Sequence, residues 1–257
     1  MLHKEILTEN QRNLLFIPQM FSRKFGLVGG TAIALQIGHR HSIDFDLFTY
    51  EPFSNFSIKK RISKYRKIQD IFKDEADQYT FIIDGVQFTF FQYPYKLNFS
   101  KKFEDIIRMP DLLTLAAMKA FALGRRAKWK DYVDLYFIIE KYHGIDEIMR
   151  RAKQIFGNEC NEKLLRSQLA YFADVSYAEP VEYMKGFEMS DKTIEKELIK
   201  FSLSWWSRFM RLNKFLPIIF LGIAVFGLLD IVFAFVILKL VNSPRPSDLS
   251  ERRGFCC

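Results

Sequence analysis

The chain has 257 residues, 49% of them hydrophobic and 26% charged, with 12 Gly and 8 Pro. That length and mix suffice for one substantial domain with an appendage or for two small ones, and they exclude a stapled mini-protein, a collagen-like repeat and a low-complexity chain. The net charge of +8 suits an anionic partner such as nucleic acid, nucleotide or an acidic membrane face, but seven basic and three acidic groups fall in residues 201–257, so the body is only mildly basic.

Three cysteines, Cys160 and the pair Cys256 and Cys257, give neither a disulfide framework nor metal-ligand spacing and fit a reducing compartment. The polar stretch Met1–Gln11 has no signal-peptide character, so the catalytic part is expected in the cytoplasm. With 27 Phe and 11 Tyr, an aromatic core is expected.

In chain order, the apolar spacing predicts a helix over Glu9–Lys24, a short strand Phe25–Val28 ending at Gly29-Gly30, and a buried helix Thr31–Ile37. A strand over Ile43–Phe48 and a basic helix Ser54–Arg66 follow. Tyr79–Ile83, the turn Asp84-Gly85 and Val86–Phe91 read as a hairpin, because Asp-Gly supplies the positive φ angles of a tight turn. Met109-Pro110-Asp111 opens a helix to Arg126, with Pro at a first-turn position. A second helix covers Asp131–Tyr142, and weaker helical patterns cover Asp146–Phe172 and Asp191–Met210.

The remainder differs in kind. Leu216–Leu238 is 23 residues long with one charge, Asp230, and 17 of the 23 are Leu, Ile, Val or Phe. That is enough to cross roughly 30 Å of hydrocarbon, and the apolar gain of about 7 kcal/mol exceeds the cost of about 3 kcal/mol for Asp230. A membrane span over 216–238 is expected, tethering the cytoplasmic part to the inner membrane; the alternative is a buried helical hairpin broken at Gly227.

The stretch Leu27–Phe48 carries the chemistry. A strand feeds a Gly-Gly turn and a helix, and a second strand then delivers Asp44-Phe45-Asp46-Leu47. Alternation on a strand puts Asp44 and Asp46 on one face and Phe45 and Leu47 in the core. Paired hard oxygen ligands select Mg²⁺ or Mn²⁺. Gly29 and Gly30 allow close approach of a phosphate, with the amides opening the Thr31 helix aimed at it. A nucleoside triphosphate (NTP) would sit between that turn and the metal. Arg40 either complements the helix terminus or clamps a phosphate, and the run Lys59-Lys60-Arg61 with Lys64, Arg66 and Lys67 is either a solvated face or an RNA-backbone surface.

Through Val-Gly-Gly-Thr-Ala and Ser-x-Asp-Phe-Asp-Leu-Phe the sequence resembles the nucleotidyltransferase superfamily, and within it the AbiEii-type abortive-infection toxins. Lys119, Lys130-Asp131 and Asp134 resemble the family's later motifs. The resemblance implies an α+β fold: a nucleotidyltransferase-like mixed sheet with flanking helices in residues 1–100, a helical domain at 101–210 completing the nucleotide pocket, and a hydrophobic tail at 211–257. It also implies metal-dependent transfer of a nucleoside monophosphate from an NTP to a hydroxyl acceptor, a transfer RNA end or a protein, by the toxin of a toxin–antitoxin pair with a cognate antitoxin. Asp44 and Asp46 would hold the metal, Lys119 would contact phosphates, and Asp131 or Asp134 would orient Lys130, the acceptor hydroxyl or a base edge. One departure stands out. The strand where many superfamily members carry a third carboxylate offers Gln87 and Thr89 instead, so that Asp131 or Asp134 substitutes, one tightly held metal suffices, or the chain is a catalytically impaired, membrane-tethered nucleotide-binding scaffold.

Overall fold

The computed structural model describes residues 2–123 and 125–212. It opens with two short helices, α1 (Glu9–Asn13) and α2 (Phe16–Phe21), where the apolar spacing predicts one. Pro18 explains the break: it has no N–H to donate to the Leu14 carbonyl of a continuous helix, whereas in the first turn of a new helix that bond is not needed.

β1 (Gly26–Val28) runs directly into α3 (Gly29–Ile37), followed by β2 (Phe45–Thr49), α4 (Asn55–Ile62), β3 (Ile71–Glu75), β4 (Gln78–Ile83) and β5 (Val86–Gln92). The hairpin between β4 and β5 turns on Asp84 and Gly85, both with positive φ (49° and 75°), as the Asp-Gly pair predicts. The sheet order is β1-β2-β5-β4-β3, with β2 and β5 parallel and every other neighbouring pair antiparallel. β3, with mostly exposed side chains, was not expected from the sequence, because an edge strand reading Ile-Phe-Lys-Asp-Glu shows no buried period. Nor was the small ribbon of β6 (Lys101–Phe103) and β7 (Ile107–Met109).

Both faces of the sheet are covered by aromatic side chains. On one, Phe81, Phe88 and Phe90 stack together and receive Phe21 and Phe25 from the N-terminal segment. On the other, Phe48, Phe91 and Tyr93 meet Tyr95 and Phe156, and Phe156 stacks on Phe121 at 3.9 Å. This second face is the one that carries Asp46, so the helical half is packed against the side of the sheet that holds the acids.

That half consists of α5 (Leu112–Leu123), α6 (Trp129–Lys141), α7 (Ile145–Phe156), α8 (Glu162–Leu169) and α9 (Asp191–Leu212). The helical pattern read over Asp146–Phe172 is split at Gly157, whose φ is +58°. Among the described residues no helix is long and apolar enough to cross a membrane. The span expected at 216–238 lies outside them.

Candidate active site

At the β1–α3 junction the chain turns from strand to helix within one residue. Gly29 adopts a φ of +72°, and a Cβ built on it would lie 2.1 Å from Asp46 Oδ2. Only glycine satisfies both the dihedral and the contact. Gly30 is constrained from the other side, since a Cβ there would lie 2.6 Å from Arg40 Nη2. No side chain caps the N-terminus of α3, so its first amides remain available to an anion with the helix dipole behind them.

Thr31 is buried and its hydroxyl is used internally. It donates to the Asp44 carbonyl and lies 3.0 Å from Ser42 Oγ. Gln11 reaches the same loop, donating to the Ser42 carbonyl at 2.8 Å. The segment before β2 is thereby fixed, and Asp44 with it.

Phe45 and Leu47 are fully buried and Asp44 and Asp46 half-buried, in the alternation that the sequence predicts. Among the described residues neither carboxylate has a hydrogen bond or an ion pair. Burial pushes the Asp46 pKa up to about 6, and the charge of Asp44 pushes the same way, against the pull of Arg126 and Lys119. Burial raises Asp44 too, partly offset by Lys130.

In the parallel pairing of β2 and β5, Thr89 stands directly opposite Asp46. Thr80 follows on β4, with its hydroxyl 3.5 Å from that of Thr89, and Gln78 donates to Thr80 at 3.0 Å. The position of the missing third carboxylate is therefore filled by a row of neutral polar side chains. Among the described residues no group of three or more His, Cys, Asp or Glu is arranged to hold a metal ion. Asp44 and Asp46 stand as a pair of acids without a third beside them among the described residues.

Lys119 on α5 and Asp131 and Asp134 on α6 come together as the sequence predicts, in a buried network. Lys119 Nζ binds Asp131 and lies 3.1 Å from Asp134 Oδ2; Arg126 Nε is 3.2 Å from Asp131 Oδ2. Arg40 grips Asp134 with two bonds, of 2.7 and 2.9 Å, and gives its third nitrogen to the His41 carbonyl. His39 donates to Asp134 through Nε2 at 2.8 Å, and burial lowers its pKa, keeping the ring neutral. Against the cost of burial, Arg40 and Lys119 hold Asp134 well below the usual carboxylate range. Arg40 is thus committed to Asp134 beneath Gly30, tying α3 to α6, and not exposed as a phosphate clamp.

Lys130 lies apart from Asp131 and Asp134. It meets Glu179 at 3.1 Å, and Lys128 meets the other oxygen at 2.8 Å. Hydrogen bonds from these lysines bring Glu179 to a pKa of about 2. The stretch carrying Glu179 is held at Ala127 and Trp129 through Ser176, and at His39 and His41 through Met184 and Glu182. The sequence offered no signal for Glu179, which sits in an irregular segment with no period. His39, just past the end of α3, is part of the buried network.

Residues 19–199 match the family model described as nucleotidyl transferase AbiEii toxin, type IV toxin–antitoxin system. An uncharacterized protein of Aquifex aeolicus, aq_aa25, is 36% identical over 156 residues, 58% of this chain and 74% of that protein. The crystal structure of JHP933 from Helicobacter pylori superposes with a TM-score of 0.53 at 18% identity, covering 83% of this chain and 99% of that one. A candidate nucleotidyltransferase from H. pylori superposes with a TM-score of 0.51, also at 18% identity, over 80% of this chain and 98% of its own. These two likenesses concern the fold.

Proposed function

The chain belongs to the AbiEii nucleotidyl transferase toxin family of type IV toxin–antitoxin systems, and on that premise we propose that the Asp44–Asp46 site transfers a nucleoside monophosphate from an NTP to an RNA hydroxyl. The enzyme class, nucleotidyltransferase, follows from the family, as do the NTP substrate and an antitoxin partner. The observation that carries the placement is the pair of acids without a partner among the described residues, beside a glycine whose missing Cβ leaves room at Asp46.

Two hard, mutually repelling oxygen anions fit a divalent cation, and Asp44 and Asp46 are the residues that would hold Mg²⁺ or Mn²⁺. Such an ion supplies charge neutralisation and orientation at the reacting phosphate. The chain's own groups do the rest. The uncapped amides opening α3 face the triphosphate, and the Thr31 hydroxyl keeps Asp44 in place through its carbonyl. Lys119 and Arg126 hold the buried Asp131 carboxylate within the field of Asp46, a positioning role. The acceptor hydroxyl oxygen forms a bond to the α-phosphorus and releases its proton to solvent, while the bond to pyrophosphate breaks. A transfer RNA end suits the basic charge of the chain.

One observation favours a second reading, a nucleotide-binding scaffold without turnover: Thr89 stands in register with Asp46 where a third acid would stand. Incubation with labelled NTPs, Mg²⁺ and total RNA separates the two. Label transferred by the wild type and lost in Asp46→Asn supports the enzyme; nucleotide binding without transfer supports the scaffold.

A further inference from the structure

Residues 50–67 contain six Lys or Arg and one acid, Glu51, and the structure arranges them on and around α4. Across from them the α2–β1 connection adds Arg23 and Lys24, and between the two walls lies a groove of about 680 Å³. Among the described residues that line it there is no carboxylate. Its cations are fixed mainly by neutral groups. Arg61 donates to the Met20 carbonyl at 3.0 Å and lies 4.7 Å from the centre of the Phe21 ring, and Lys24 donates to the Pro52 carbonyl at 2.6 Å. A charge held by a carbonyl or a ring stays available to an anion; among the described residues Glu51, 3.9 Å from Lys24, and Asp84, 3.6 Å from Arg66, compete.

Aromatic side chains are interleaved with these charges. Phe56 is 72% exposed and lies one helical turn from Lys59 and Lys60, themselves exposed, while Tyr65 is 60% exposed beside Lys64. Rings that accept stacked bases, alternating with cations that meet phosphates, are the elements of a single-strand nucleic-acid surface. A lipid surface suits the site less well, because α4 turns its aliphatic Ile58 and Ile62 inward and a planar bilayer does not enter a groove.

The groove lies on the face of the sheet where Phe21 and Phe25 pack on Phe90, and the acids lie on the other, with Asp46 beside Phe48 and Phe91. We propose that α4 and this groove grip the sugar–phosphate backbone of an RNA acceptor on the far side of the sheet from the end presented to Asp44 and Asp46. The proposal rests on the reading above that the acceptor is RNA, and it assigns that RNA a second contact surface.

The test is fluorescence anisotropy of the full chain with a labelled unstructured RNA across a salt series. Lys59→Ala/Lys60→Ala/Lys64→Ala is expected to weaken binding at least tenfold and to flatten the log–log salt dependence by about two, since each lost phosphate contact removes roughly 0.7. Phe56→Ala is expected to weaken binding by about fivefold or more with the salt dependence unchanged, because stacking carries no counterion release. All four side chains are exposed, and binding of a triphosphate should stay at the wild-type level in both variants. RNA binding at wild-type strength in both variants overturns the proposal. So does a loss confined to phosphatidylserine-containing vesicles with RNA binding intact. Failure of the wild type to label any RNA, with the anisotropy effects present, counts against the functional reading and leaves the surface assigned.

Discussion

Asp44 and Asp46 on the sheet and Asp131 and Asp134 on α6 are the same residue type, close enough that Asp131 contributes to the field at Asp46, yet their surroundings are opposite. The α6 pair is buried and saturated by Lys119, Arg126, Arg40 and His39, and Asp134 is held ionised well below the usual range. The sheet pair has no partner among the described residues, and Asp46 is pushed up to about 6. A compensated acid is a finished piece of structure. An uncompensated pair fixed beside a glycine turn leaves room for a cation from solution, as proposed above, and on that proposal the difference separates the groups that position from the groups that bind.

The largest expected effect lies on the compensated side. Asp134→Asn leaves Arg40, and Lys119 in part, as buried uncompensated charges and should destabilise the protein by about 3–5 kcal/mol in urea unfolding. Replacing Arg40 and Asp134 together by Met and Leu should recover much of that loss. The pH dependence follows from the sign of the shift. With its folded pKa depressed, Asp134 contributes stability that is fully present above the unfolded value of about 3.9 and is lost as pH falls through the folded one. Acid unfolding curves of wild type and variant should therefore converge at low pH.

On the uncompensated side the expected effects on stability and activity have opposite signs. Asp46→Asn should reduce label transfer by about three orders of magnitude, the equivalent of about 4 kcal/mol. In chelator-treated protein the same change should raise stability. A carboxyl whose folded pKa lies above its unfolded one loses stability as pH rises between about 4 and 6, and the amide escapes that loss. Because Asp46 is only half-buried, a gain on the order of 2 kcal/mol above pH 6 is the ceiling, shrinking toward pH 4. Equal melting temperatures across that range would show that the acid pair is not strained.

Two smaller substitutions sharpen the contrast. Gly29→Ala forces a positive φ on a residue with a Cβ and pushes against Asp46 Oδ2, for a loss of about 1–3 kcal/mol with activity reduced. Thr89→Asp adds a carboxylate opposite Asp46 and should tighten Mn²⁺ binding on the order of tenfold, because affinity for hard cations rises with the number of charged ligands.

Much of this was legible in the sequence. The glycine turn, the alternation Asp44-Phe45-Asp46-Leu47 and the Asp84-Gly85 hairpin are local patterns with one dominant physical solution, and they appear where the periods put them. Thr89 was also readable, since its strand and face follow from the hairpin. Arg40 and His39 were not: nothing local shows that residues 94 and 95 positions away, brought together by the tertiary fold, supply Asp134 as their partner. Glu179 was invisible for the same reason. Pro18 did leave a signal, the missing N–H that divides the first helix, but the apolar spacing overrode it.

The most direct measurement is Mn²⁺ binding to the full chain, followed by electron paramagnetic resonance of the free ion with a non-hydrolysable triphosphate present. The account expects the wild type and Lys130→Ala to bind Mn²⁺ and both Asp44→Asn and Asp46→Asn to lose it. Binding that survives in those two variants, or that disappears only when Asp131 is replaced, would contradict it.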